Sequence, residues 1–292
     1  SKSCLRTRQT MRRKNRSVAF KFRPFSLKQK KLMYWWKDGS PHQGKDIVIA
    51  DGAIRSGKTI AMIASFMQWS QSNFSDEDFI IAGKSIGALK RNVVKPLKQI
   101  ITAWGWEFDH NRSENFIIVG SNTYYLFGAN NEASQDVLQG LTAAGALGDE
   151  AALFPKSFLE QMIGRCSVEG AKIFLNCNPK SPYHYLKTEY IDLAEDKNIY
   201  RLHFTMKDNL TLSKSVLERY ERMFTGVFYQ RFILGLWVMA EGIIYDLFDR
   251  SLHVTESTER AYSRYYVSID YGTNNPFAMG LWGLLEGTWY KI

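Results

Sequence analysis

Read as apolar and polar positions, the chain alternates short continuous apolar runs with longer stretches of helical spacing. Residues 47–50 (Ile-Val-Ile-Ala), 79–82 (Phe-Ile-Ile-Ala), 172–177 and 199–204 have the length and the β-branched and aromatic content of buried strands. Helical spacing follows at 58–64, 86–103 and 214–224, and Ser26 ahead of Leu27 reads as the N-cap of a helix running to Trp36. Residues 20–25 read as a short extended piece, and 115–127 as two strands around a Gly-Ser-Asn turn, a hairpin inserted into the alternation. Strands alternating with helices predict an α/β fold, a mostly parallel central sheet flanked by helices. Residues 228–237, aromatic at helical spacing, are expected to pack in the core. Beyond them 238–261 read as a linker and lid, and 265–272 with 277–282 as the opening hairpin of a second domain that 262–292 are too short to complete.

The loop after the first strand carries the most specific chemistry. Gly52, Ala53, Ile54, Arg55, Ser56, Gly57, Lys58 and Thr59 form a complete phosphate-binding loop between a strand and a helix. Two glycines let successive N–H groups and the helix N-terminus face phosphate oxygens. Lys58 is positioned to reach the β/γ oxygens, and Thr59 offers a hydroxyl to Mg²⁺. Nucleoside triphosphate binding follows from that pattern.

An ATPase of this kind needs a second element, and small apolar residues 143–148 lead into Asp149 and Glu150. The first carboxylate is expected to hold Mg²⁺ and the second to orient and deprotonate the attacking water. The chain length between loop and acids fits a core in which an extra strand separates the two motifs. At the end of the strand 172–177, Asn176 is the first candidate for an amide that senses the γ-phosphate, and Asn178 the second. Upstream, Gln29 follows an aromatic residue and a proline, a setting in which an amide can hold adenine through two hydrogen bonds; a solvated glutamine on a helix is the plainer alternative.

Composition narrows the class. The 292 residues carry a formal charge of +9, yet residues 1–37 hold 13 Lys/Arg and no acid, leaving 25 basic against 29 acidic residues beyond them. The excess is thus a basic arm, 1–19, that could meet nucleic acid phosphates or an acidic partner, or remain a solvated tail. No apolar run reaches the length of a membrane span, and the basic N-terminus lacks a following apolar segment, so neither a transmembrane helix nor a signal peptide is expected and cytoplasm is the default. Cys4, Cys166 and Cys177 lack metal or disulfide spacing and read as buried or idle thiols.

Taken together, the arginine-bearing loop 52–59, the Asp149-Glu150 pair, Asn178-Pro179, the run 229–237 before 242–245, and residues 268–272 (Ser-Ile-Asp-Tyr-Gly) resemble the large terminase subunits of tailed double-stranded DNA bacteriophages. The resemblance covers nearly the whole chain from about Phe20. It implies an ASCE-type P-loop ATPase at 20–237, a lid or linker at 238–261, and the first strands of a ribonuclease-H-like nuclease domain at 262–292. It also implies an ATP-hydrolysing motor that translocates double-stranded DNA into a procapsid, with a small terminase subunit, the portal protein and further copies in a ring as partners, in the cytoplasm of an infected bacterium. In the family's pattern Arg55 is the arginine that stabilises γ-phosphate charge, Glu150 the catalytic base, and Asp270 a ligand of a nuclease site for Mg²⁺ or Mn²⁺ that is incomplete here. A helicase-like ATPase with no viral role and a small-molecule phosphotransferase share the loop and the acids, but neither accounts for the carboxylate-bearing hairpin after the lid.

Overall fold

A computed structural model describes residues 20–130, 136–239, 253–254, 260–270 (of Asp270 the main chain alone) and 278–292. The basic arm and most of the expected lid lie outside these residues. The chain divides into two compact units, one up to residue 241 and one from 242 on.

In the first unit, α1 (Leu27–Tyr34) precedes β1 (Ile47–Gly52), α2 (Lys58–Asn73) and β2 (Asp78–Gly83). A helical stretch follows, α3 (Ile86–Leu89) and α4 (Lys95–Ala103) joined by a π-helical turn, then β3 (Phe108–Asn111), β4 (Phe116–Val119) and β5 (Asn122–Gly128). After β6 (Gly145–Gly148) come α5 (Lys156–Arg165), β7 (Lys172–Cys177), β8 (Ile199–Phe204), α6 (Lys214–Met223) and α7 (Gly226–Phe232). The eight strands form one sheet in the order β3-β4-β5-β2-β6-β7-β1-β8. The pairs among β5, β2, β6, β7, β1 and β8 are parallel, while β3-β4 and β4-β5 are antiparallel. The fold is therefore α/β with a mostly parallel sheet, and β7 is the extra strand between the acid-bearing β6 and the loop-bearing β1.

Strand period two builds a core on each face of the sheet. Val48, Phe79, Ile81 and Phe174 face one cluster, where α1 and α2 supply Leu32, Phe66 and Trp69 and Trp35 follows from the end of α1; Ile49, Ile80 and Leu175 face the other, which α5 fills with Phe158, Leu159 and Met162. Burial on both sides explains why the parallel strands read as unbroken apolar runs. The hairpin expected at 115–127 is β4-β5, extended at the sheet edge by β3, whose polar sequence Phe-Asp-His-Asn gave no strand signal. The run 228–237 is helical as far as Phe232; Ile233 N still donates to Tyr229 O (3.0 Å), and the chain then continues to Trp237 through Gly235 in a left-handed conformation. Trp237 still reaches the core. Cys166 and Cys177 are free thiols, and burial raises both pKa values, Cys166 to about 12.

The second unit contains β9 (Arg264–Asp270), β10 (Ala278–Leu285) and β11 (Thr288–Lys291), an antiparallel sheet with β10 in the centre. Asp270 ends β9, opposite Ala278. Among the described residues no helix is long and apolar enough to cross a membrane.

Candidate functional site

β1 ends at Gly52 and α2 begins at Lys58, so the phosphate-binding loop bridges a strand end and a helix start as its spacing predicts. Gly52 has φ +140°, and a Cβ there would lie 1.9 Å from the Phe204 carbonyl oxygen, so only glycine fits. Gly57 caps α2 at φ +81° without a side-chain hydrogen bond, leaving the first-turn N–H groups directed out of the helix end. The Ser56 hydroxyl is buried and has no hydrogen-bond partner among the described residues. Lys58 Nζ donates to the carbonyl oxygen of Ala53 (2.9 Å), to Asn178 Oδ1 (2.7 Å) and more distantly to Gly52 O (3.5 Å). Burial lowers the Lys58 pKa to about 8 against the opposing pull of Cys177, Asp149, Asp51 and Glu150.

Across β7 stand the acids. Asp149 is buried at the end of β6, its N–H donating to Ala82 O (2.9 Å). Its Oδ1 accepts from Asn176 Nδ2 (2.9 Å), and the Thr59 hydroxyl, at the start of α2, favours the charged form of this carboxylate. Burial raises Asp149 to about 6, with Asn176, Lys58 and Thr59 working against the rise and Glu150 adding to it. Glu150 adopts φ +57°, a left-handed conformation that costs a non-glycine residue about 1 kcal/mol. Its N–H donates to Asn176 Oδ1 (3.2 Å), so one amide touches both members of the acidic pair. Lys58, Thr59, Asp149, Glu150, Asn176 and Asn178, far apart in sequence, thus converge at the carboxyl ends of β1, β7 and β6. This is where α/β sheets bind ligands.

Two further candidates have a different setting from the one their sequence suggests. Gln29 is buried, and its amide is already engaged: Oε1 accepts from Ser26 N (2.9 Å) in a capping box, while Nε2 donates to Gly57 O (3.2 Å). It joins α1 to the loop and lines a cavity of about 400 Å³ with Arg23, Phe25, Gly57, Ile60 and Asn209. Arg55 is exposed at φ +52°, forms no ion pair among the described residues, and lies with its guanidinium carbon 5.8 Å from the Tyr220 ring centre. Asn209 Nδ2 holds its carbonyl oxygen at 2.7 Å.

The sequence did not reveal the role of Asp51, which is fully buried immediately before Gly52. Its carboxylate accepts two hydrogen bonds from Arg201 (Nε to Oδ1 and Nη2 to Oδ2, both 2.9 Å) and one from Trp237 Nε1 (2.8 Å), with His203 Nδ1 at 3.4 Å. Burial alone would raise the Asp51 pKa; the hydrogen bonds from His203 and Arg201, the Arg201 charge and the Trp237 N–H hold it at about 2. The one local signal was Arg201 and His203 two apart on β8, polar positions sharing one face of an otherwise apolar strand.

Similarity to known proteins points the same way as this geometry. The sequence model for the family described as terminase large subunit, T4likevirus-type, N-terminal, matches residues 49–252. This chain belongs to the large terminase family. Among solved structures, the large terminase of a thermophilic bacteriophage aligns with a TM-score of 0.73 at 53% identity, covering 92% of this chain and 67% of that one. Crystals of the same thermophilic phage terminase with ADP and with ATP-γ-S align at 52% identity, with TM-scores of 0.72 and 0.71. The HK97 bacteriophage large terminase aligns over 96% of this chain and 65% of its own, with a TM-score of 0.60 at 15% identity, which speaks for the fold alone. No curated protein sequence matched. This terminase chain spans about two thirds of the length of the thermophilic phage protein.

Proposed function

We propose that this chain is the ATP-hydrolysing motor portion of a phage large terminase, moving double-stranded DNA into a procapsid. The observation that carries the reading is the convergence of Lys58, Thr59, Asp149 and Glu150 around the open N-terminus of α2. The 52% identical thermophilic phage structures with ADP and ATP-γ-S support it. In this reading the N–H groups of residues 53–59 and the Ser56 hydroxyl receive the phosphates, and Lys58 exchanges its bonds to Ala53 and Asn178 for phosphate oxygens. Gln29 and the adjoining cavity receive the adenine, with the Gln29 amide trading at least one of its present bonds for the base.

The donor set fits Mg²⁺: the Thr59 hydroxyl and the Asp149 carboxylate are hard oxygen ligands that influence one another electrostatically, and would hold the ion, which neutralises phosphate charge. Glu150 is assigned as the base that takes a proton from the attacking water, and Asn176, bonded to both acids, as the group that reports loss of the γ-phosphate. Arg55 is assigned to the charge that develops on the γ-phosphate; its exposure leaves it free to swing toward the site or to serve a neighbouring copy in a ring. Boundaries near 237 and 261 would separate the ATPase, a lid and the start of a ribonuclease-H-like nuclease. In a longer protein Asp270 would join further carboxylates to bind Mg²⁺ or Mn²⁺ and cut concatemeric DNA. A small terminase subunit, the portal protein and the cytoplasm of an infected bacterium complete the setting.

The test is ATP hydrolysis by the purified chain, with and without double-stranded DNA. DNA-stimulated release of phosphate from ATP is expected. Absence of hydrolysis under both conditions, or phosphoryl transfer to a small acceptor without DNA dependence, would sink the reading.

A further inference from the structure

Asp51 is the most heavily engaged buried acid among the described residues, and the assigned hydrolysis mechanism does not use it. Its partners come from two places: Arg201 and His203 from the neighbouring strand β8, and Trp237 from the non-helical segment that follows α7. That segment is laid directly on the start of the phosphate-binding loop. Gly235, at φ +70°, is so near that a Cβ would come within 2.3 Å of Ala53 N and 2.6 Å of Gly52 Cα. His203 links the two at a second point, its Nδ1 beside Asp51 and its Nε2 2.9 Å from Leu234 O, and Met206 N donates to Ile233 O at 3.0 Å.

On the loop side, the carbonyl groups of Gly52 and Ala53, the two residues after Asp51, are those that Lys58 Nζ contacts. A ligand that draws Lys58 onto phosphate removes a donor from these carbonyls. The residues that must readjust are the ones Gly235 rests on and Asp51 precedes. The arrangement therefore has a loop end that senses Lys58 and a segment end that Asp51 holds to it.

We propose that Asp51 is a positioning residue for nucleotide hydrolysis, fastening residues 233–237 to the first turn of the phosphate-binding loop so that occupancy of the loop is transmitted to that segment. The proposal rests on the nucleotide reading above, but names a different residue and a different observable. Asp51 touches no phosphate; it acts through Trp237, His203 and the backbone of Gly52 and Ala53.

The experiment uses the whole chain and ADP as the probe. Hydrogen exchange of peptides covering 230–239 is followed with and without saturating ADP, in the parent, in Trp237→Phe and in Asp51→Asn. Trp237→Phe removes one indole donor while keeping an aromatic ring, so it tests the idea even if Asp51→Asn does not fold. In the parent, ADP should change exchange at 233–237 by about tenfold or more. Trp237→Phe should bind ADP within about threefold of the parent, lose most of that response, and hydrolyse ATP with kcat reduced about tenfold or more at little change in KM.

A purely structural tryptophan would shift global unfolding without abolishing the ADP response. A parent that binds ADP with no change at 233–237, or a Trp237→Phe variant that keeps the full response and kcat, overturns the inference and leaves the nucleotide reading standing. Loss of ADP affinity in Trp237→Phe also overturns it, because the group then serves binding. A parent that binds no ADP overturns both.

Discussion

Arg201→Ala tests the energetics of the buried carboxylate beside the loop. With an ordinary pKa of 3.8 and a folded value of about 2, ionised Asp51 contributes stability of about 2 kcal/mol at neutral pH, at roughly 1.4 kcal/mol per pH unit. The folded pKa is depressed, so this contribution is complete well above pH 3.8 and disappears as pH falls through 3.8 toward 2. Removing Arg201 deletes two hydrogen bonds and a full charge from a carboxylate with no solvent exposure. Breaking such a buried pair costs about 3–5 kcal/mol; the Arg201 side chain is itself 36% exposed, and water entering where it stood reduces the expectation to about 2–4 kcal/mol. In the variant burial dominates and the Asp51 pKa moves up, so lowering the pH stabilises the variant while it destabilises the parent. Urea unfolding of both proteins from about pH 7 to about pH 3, followed by tryptophan fluorescence, should therefore show a gap that shrinks by about half or more over that range. A gap under about 0.5 kcal/mol at neutral pH, or one that stays constant with pH, would refute the ionic account of the site.

Three other outcomes are expected. Lys58→Ala should lose ADP affinity and ATP hydrolysis together, measured by calorimetry and phosphate release, because the ammonium is assigned to ground-state phosphate contact; retained affinity would reassign it. Glu150→Gln and Arg55→Ala should bind ATP nearly as the parent does, while single-turnover hydrolysis falls by about 10²–10⁴ for the base and about 10³–10⁵ for the arginine; an Arg55→Ala rate within about threefold of the parent, under roughly 1 kcal/mol in barrier, removes Arg55 from the chemistry. Deleting residues 2–19, which spares the packing of Phe20 and Phe22 near Trp104, should flatten the salt dependence of DNA affinity by several units at about 0.9 per phosphate contact; an unchanged slope assigns the arm another role.

The parts legible in the sequence are those whose physics is local. β1, β2 and β7 lie buried on both faces, so each announces itself as an apolar run, while β8, at the sheet edge, does so through Ile199, Tyr200, Leu202 and Phe204; the loop 52–59 is legible because its pattern sets particular residues at adjacent positions. The pair Asp149-Glu150 could be placed at a strand end because it directly follows a run of small apolar residues, and β6 ends there at Gly148. β3, by contrast, is four mostly polar residues held by pairing with β4, and no window of sequence contains that partner's hydrogen bonds. The left-handed Gly235 that ends helical spacing before Trp237 owes its conformation to the backbone of Gly52 and Ala53, far away in the chain.

Gln29 and Asp51 show how a side chain's apparent role changes once its partners are known. Ser26 and Gln29 stand three apart, which is the spacing of a capping box, and the amide that sequence pattern offers to a base is in fact closing the start of α1 and touching Gly57. If Gln29 receives the base, as proposed, doing so would break a bond to the loop itself and couple base entry to adjustment at Gly57. Asp51 looks, in sequence, like a polar residue at a strand end. Only when β8 pairs in register, with His203 opposite Asp51 and Arg201 opposite Ile49, does the carboxylate acquire the charge and donors that make its burial tolerable. Both residues flank the phosphate-binding loop, one at Gly57 and one at Gly52. The loop's two ends are thereby tied to α1 and to the segment after α7, so on the proposed reading each of those elements has a physical route to respond were phosphate to draw Lys58 from Ala53 and Asn178.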